Sequence, residues 1–265
     1  MANLRLFVTT SDYYNHLIPG FAYLFNKYWS SQQEVTFLCY TKNNYSLPNN
    51  FSMFSLGLPA TFGNDIPEWS EGRRGVNAEP YPTPRWTDSL IPFVKNMTDD
   101  HFILMQIDYF VNRPVELDKI ELLKSFLNFS EVAKIDLTLD LTRYSHDLYQ
   151  THGKIKIIVS DQTADYRSSL QAAVWRRDYF LRLLRPNRSP WDFERKGMDE
   201  LKNDGKLILG IKQPHFGPVS YVNLYARGKV DRTEMARIDK RVVHEMRELG
   251  LIRTDWNGWG KSPKC

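Results

Sequence analysis

Short, almost wholly apolar runs recur along this chain, and each stops at a polar residue. They lie at residues 4–9 (LRLFVT), 35–40 (VTFLCY), 101–107 (HFILMQI), 132–139, 154–160 and 207–211, with a shorter one at 51–56. A run without polar alternation is buried on both faces as a strand. Amphipathic stretches lie between the runs. Residues 13–29 place Leu17, Ile18, Phe21, Leu24, Phe25 and Tyr28 at helical spacing, with Pro19-Gly20 predicting a kink or a late start. Further helices are expected at 87–97, 115–129, 175–184, 191–202 (opened by Ser189-Pro190) and 233–249 (closed by Gly250). Strands alternating with helices give an α/β fold with a largely parallel sheet.

At 265 residues, with 42% hydrophobic and 25% charged residues, the chain suits one globular domain with its own core. No apolar run reaches the length of a membrane span, and the first ten residues do not read as a secretory signal. Two isolated cysteines, Cys39 and Cys265, make no disulfide framework, so a cytoplasmic location is expected. Charge is uneven. Residues 1–142 carry about five more acidic than basic groups, and residues 143–265 roughly nine more basic than acidic. A basic half of this kind attracts a phosphorylated or polyanionic substrate, or is simply a solvated surface.

In open parallel sheets ligands bind beyond the carboxyl ends of the strands. Thr9-Thr10-Ser11-Asp12 follows the first run and Thr41 the second. Their hydroxyls and carboxylate suit a base and ribose, or equally the capping of a helix. Asp108 follows the strongest strand, placed to hold a divalent cation on a diphosphate or to bond a sugar hydroxyl. The Pro-rich stretch 71–84 has the length of a binding loop and carries Arg73 and Arg74. Trp191 and Glu194 sit three residues apart at a helix start. A tryptophan beside a carboxylate suits a site that stacks a sugar and removes a hydroxyl proton; the same pair also serves as core filler and first-turn acid. The six histidines are scattered, without metal-ligand spacing. His215, in Gln213-Pro214-His215-Phe216-Gly217, reads as a turn residue or a phosphate contact. Neither a Gly-x-Gly-x-x-Gly nor a Gly-x-Ser-x-Gly pattern occurs.

Thr-Ser-Asp after the first strand, PGFAYLFNKYW at 19–29, Trp86-Thr87-Asp88 at a helix start, ILMQIDYF, SLQAAVWRRDYFLRLLRP and SPWDFE occur in that order. This series resembles GT-A-like glycosyltransferases met mostly in phages and bacteria, over residues 6–229. The resemblance implies a Rossmann-like GT-A type mixed sheet flanked by helices, with a transferase domain at 1–230 and a C-terminal helix and tail at 231–265 packed on it. It implies a nucleotide-sugar donor held by Thr9, Thr10, Asp12, Thr41, Arg73, Trp86, Asp88, Gln106 and Tyr109. Asp108 occupies the place of the acidic motif that binds Mn²⁺ or Mg²⁺. The residues before it are Gln106 and Ile107, so a two-carboxylate motif is absent. Glu194 takes the place of the general base of an inverting enzyme, with Trp191, Gln171, Trp175 and Arg176 on the acceptor side. The acceptor implied is a glycan precursor or a hydroxymethylated DNA base.

Overall fold

The computed structural model describes residues 4–57, 86–226 and 229–252. Arg73, Arg74, the 71–84 loop and the tail from residue 255 lie outside the described residues.

A nine-stranded mixed sheet organises the chain. Its strands are β1 (Leu6–Thr9), β2 (Val35–Cys39), β3 (Phe51–Ser55), β4 (His101–Gln106), β6 (Val132–Asp136), β7 (His146–His152), β8 (Ile155–Ser160), β9 (Ala173–Arg176) and β10 (Leu207–Lys212). A small second sheet pairs β5 (Tyr109–Val111) with β11 (Tyr221–Asn223), and a third pairs β12 (Tyr225–Ala226) with β13 (Lys229–Val230). The order across the main sheet is β3-β2-β1-β4-β9-β6-β10-β8-β7. Strands β3, β2, β1 and β4 pair in parallel, β9 runs against both its neighbours β4 and β6, β10 is parallel to β6, and the β7–β8 hairpin closes the far side in antiparallel pairing. The result is a Rossmann-like mixed α/β sheet flanked by helices.

Alternation along the strands splits the core in two. Leu6, Val8, Phe37, Ile103, Met105, Ile135, Val174 and Leu209 face one side, packed with α1 (Ile18–Tyr28), α3 (Leu117–Lys124) and α7 (Lys240–Glu248). Phe7, Phe102, Leu104, Ala173 and Trp175 face the other, packed with α2 (Trp86–Lys95), α4 (Arg177–Leu183) and α5 (Pro190–Leu201). Each large side chain so buried contributes about 1.5–3 kcal/mol. A 3-10 turn at Asp12–Leu17 precedes α1, and Pro19 sits in the first turn of the helix, so the expected late start is found.

Near the C-terminus the expected single helix over 233–249 is two helices, α6 (Arg232–Met235) and α7. Asp231 caps α6 by accepting from the N–H groups of Thr233 and Glu234; Asp239 caps α7 by accepting from Arg241 N–H. Two caps eight residues apart start the chain twice. Gly250 takes φ +66 after α7, where a side chain is strained. The α7 helix is tied to α1: Glu245 accepts from Lys27 Nζ at 2.9 Å and from the Tyr23 hydroxyl.

The second correction concerns Trp175 and Arg176, expected as the start of a helix over 175–184; with Ala173 and Val174 they belong to a strand. They form β9, because Val174 and Trp175 are wanted on opposite faces of the sheet, a period-two demand that overrides the helical spacing of the residues beyond.

Candidate functional site

The parallel strands end along one edge, and the register lines up their last polar residues there. Thr9 of β1 pairs with Gln106, the last residue of β4, and Gln171 lies two residues before β9 begins. Thr9 Oγ1 donates to Gln106 Oε1 at 2.6 Å, which leaves the Gln106 Nε2 amide buried without a partner. Gln171 Nε2 donates to the Tyr109 hydroxyl at 3.4 Å, which leaves Gln171 Oε1 buried and unpaired. An unpaired buried polar atom costs about 1–3 kcal/mol, so the open donor on Gln106 and the open acceptor on Gln171 are each suited to a hydroxyl.

Asp108 lies in the turn between β4 and β5. Burial raises its carboxyl from the ordinary 3.8 to about 6, and the only opposing influence is its own backbone N–H. Tyr109 stacks on Tyr221 across the small sheet, ring centroids 4.4 Å apart. Burial pushes the Tyr109 phenol well up, and the Tyr221, Asp108, Glu194 and Asp140 groups push it further.

Glu194 is placed by α5. The helix opens on a capping box in which Ser189 Oγ accepts from Asp192 N–H at 3.1 Å and Asp192 Oδ2 accepts from Ser189 N–H at 3.1 Å. Trp191 and Glu194 follow in the first turns. Trp191 is 63% exposed, so the core-filler alternative is discarded. Glu194 Oε1 accepts from Leu170 N–H at 2.7 Å, Ser168 Oγ donates to the Glu194 carbonyl at 2.6 Å, and Gly197 lets Ser168 approach, since a Cβ there would lie 3.0 Å from the serine. Burial raises the Glu194 carboxyl, with the Leu170 N–H and the Lys134 charge pulling it back.

The segment that grips Glu194 is itself anchored. The fully buried Arg167 guanidinium donates to the carbonyls of Asp161 (3.0 Å) and Lys206 (2.8 Å) and pairs with Asp204. Buried Lys134 donates from Nζ to Ser169 O at 2.6 Å and lies over the Trp175 ring at 4.7 Å. Burial lowers the Lys134 ammonium, while Asp136, Asp140 and Glu194 act the other way. Asp136 spends its oxygens on the Thr138 and Leu141 N–H groups and the Thr138 hydroxyl.

Several sequence expectations land elsewhere. Trp175 is fully buried in the core beneath α4 and α5, so it contacts no acceptor. Arg176 lies at the opposite end of β9, paired with His101 at the start of β4, and its guanidinium donates to the carbonyls of Leu127, Phe129 and Val132. Both were assigned to a helix; the antiparallel strand carries them away from the ligand edge. Trp86 packs edge-on to Phe193 and Phe180, and Asp88 Oδ1 accepts from Asn187 N–H at 2.8 Å, so this pair braces α2 against the α4–α5 loop. Asp12 lies at the edge as expected, but as a latch: it accepts from Thr41 N–H (2.9 Å), Thr41 Oγ1 (2.8 Å) and Asn15 Nδ2 (3.2 Å). Asp12→Ala is expected to lower stability by about 1–2 kcal/mol in urea unfolding by freeing the β1 and β2 loops.

Lys134, Asp136, Asp140 and Tyr221 were missed. The legible signal was a lysine and an aspartate two apart inside a run otherwise fit for full burial, VAKIDL. Among the described residues no group of three or more His, Cys, Asp or Glu side chains is placed to hold a metal ion. A cavity of about 490 Å³ opens over the β1–β3 flank beside α2, lined by residues such as Thr36, Ser52, Phe54 and Asn96; it has no acid or histidine and lacks the groups for this chemistry.

Neither a protein-family model nor a curated protein matches the chain. Among solved structures it is similar to one described as UDP-glucose pyrophosphorylase complexed with UDP-glucose, with a TM-score of 0.42 and 9% identity, covering 84% of this chain and 93% of that chain. No described helix is long and apolar enough to cross a membrane.

Proposed function

We propose that the chain is a nucleotide-sugar-dependent glycosyltransferase in which Glu194 is the general base. One observation carries this reading. A carboxylate with a raised pKa has one oxygen fixed by Leu170 N–H, and it stands beside the exposed Trp191 at the ligand edge of a Rossmann-like sheet. Fixing one oxygen aims the other, and a raised pKa makes the carboxylate a better proton acceptor near neutral pH.

In this mechanism the donor lies along Thr9, Gln106 and Asp108, its hydroxyls meeting the open amide of Gln106, and Gln171 offers its open carbonyl on the acceptor side. The acceptor stacks on Trp191 and presents a hydroxyl to Glu194. As the acceptor oxygen attacks the anomeric carbon, Glu194 takes its proton and the bond from that carbon to the diphosphate breaks, with inversion. A Mn²⁺ or Mg²⁺ ion would be held by Asp108 and the donor's own phosphates, and would offset charge on the leaving diphosphate. One carboxylate with substrate oxygens fits the sparse way Mg²⁺ is bound; the described residues hold no preformed cage.

The test is a thermal-shift and turnover screen of UDP-, GDP-, CMP- and dTDP-sugars, each with and without Mn²⁺ or Mg²⁺. One nucleotide-sugar should raise the melting temperature and be slowly hydrolysed. Silence across the panel overturns the reading. A second reading, a module that binds the donor without turnover, is favoured by Gln106 standing where a second carboxylate would; a shift without hydrolysis or transfer would select it. Assays on glycan and on hydroxymethylated duplex DNA then separate the acceptors, the latter with steep salt dependence.

A further inference from the structure

The loop after β10, which the transfer chemistry leaves unused, closes over the segment that follows β5 and forms a cavity of about 250 Å³. Arg113, Glu116, Gln213, His215 and Phe216 are on its walls. The Arg113 guanidinium sits over the Phe216 ring, its carbon 3.2 Å from the ring centroid. Its Nε is buried and unpartnered, and no carboxylate pairs with it among the described residues. The one acid on the wall, Glu116, is already neutralised: Oε1 accepts from Lys119 Nζ and Oε2 from Gln213 Nε2 at 3.2 Å. Lys119 Nζ also donates to Gln213 Oε1 at 2.7 Å, so the acid is held on its own side. The cavity therefore contains a cation without a counter-anion. The ring gives the guanidinium no hydrogen-bond acceptor in the plane of its N–H groups, so its planar fork of donors stays suited to two oxygens at once.

Gly217 fixes the loop in place. A Cβ there would come within 2.4 Å of the Thr138 carbonyl carbon, so the loop lies against the backbone after β6 only because the residue is glycine. Gly217→Ala is expected to lower the midpoint of denaturant unfolding, since the loop must move off the Thr138 backbone.

We propose that this cavity is an oxyanion-binding site, taking a phosphate or carboxylate group on the Arg113 fork with His215 at its mouth. The inference does not depend on the sugar-transfer reading. The experiment follows the melting temperature of the full chain during titration with sodium phosphate and, separately, sodium acetate, against sodium chloride at matched ionic strength. A saturable rise with one oxyanion is expected; phosphate alone points to a tetrahedral group, acetate alone to a carboxylate. Arg113→Met should abolish the rise and Arg113→Lys should weaken binding roughly tenfold, because the charge stays and the fork is lost. Gln106→Met, at the ligand edge, should leave it intact. If Arg113→Met responds like the wild type, if Gln106→Met alone loses the response, or if neither anion gives a saturable rise, the proposal is overturned. Should Arg113→Met fail to fold, the Arg113 Nε–H resonance of nitrogen-labelled wild type decides: it moves saturably with the anion, or it stays still and the site does not exist.

Discussion

Glu194→Gln is expected to lower sugar transfer by about 10²–10⁴-fold while leaving donor affinity within about twofold. The substitution keeps the side-chain shape, and the amide oxygen still accepts from Leu170 N–H, so the docking of α5 on residues 168–170 survives. What disappears is the capacity to take a proton. Wild-type activity should fall as pH drops through the raised Glu194 pKa, and the variant's residual activity should lack that acid limb. Equal rates for variant and wild type would remove Glu194 from the chemistry. A melting temperature lowered in parallel with activity would make it structural.

Asp108→Asn should separate stability from function in the opposite sense. The folded carboxyl titrates at about 6 against the ordinary 3.8. Across that window the folded protein keeps a proton that the unfolded chain releases, so stability falls as pH rises and stays lower above it. Asparagine cannot ionise. The variant should therefore match the wild type near about pH 4 and melt higher near about pH 8, by about 2–4 °C for each kcal/mol relieved; solvent at this half-buried position trims the gain. Measured without added divalent ions, the two melting curves against pH decide it. The variant should also lose transfer. Higher stability together with lost transfer in the same variant is the outcome that marks Asp108 as serving the reaction at a cost to the fold.

Much of this fold was legible because burial on two faces leaves a strong mark. The runs that became β1, β2, β4, β6, β8 and β10 are apolar enough that little else would accommodate them. β9 was hidden by its neighbours: Val174, Trp175, Tyr179, Phe180 and Leu183 share helical spacing, and nothing local marks the change of period at Arg176–Arg177. β7 carries no apolar signature, since six of its seven residues are exposed. Of the residues at this edge, Asp108 and Gln106 were picked out at the end of a strand and Glu194 at the start of a helix beside Trp191, while Gln171 came only from the family resemblance. Lys134 and Asp136 were passed over because they interrupt a strand. Trp175 and Arg176 were misplaced by the same error that hid β9, which shows how one wrong period moves a side chain from a ligand's reach to the far end of a sheet.

The exposed β7 strand also bears on how the protein behaves at high concentration. A seven-residue strand on the rim of a nine-stranded sheet offers its outer N–H and C=O groups to any second copy, the usual beginning of edge-to-edge association and aggregation. The pairing register with β8 slips between Leu148 and Gln150, which leaves Tyr149 as an extra residue with its ring against Phe126. That bulge divides the rim into two short ladders and bends it, so a neighbouring chain finds no long straight template to extend.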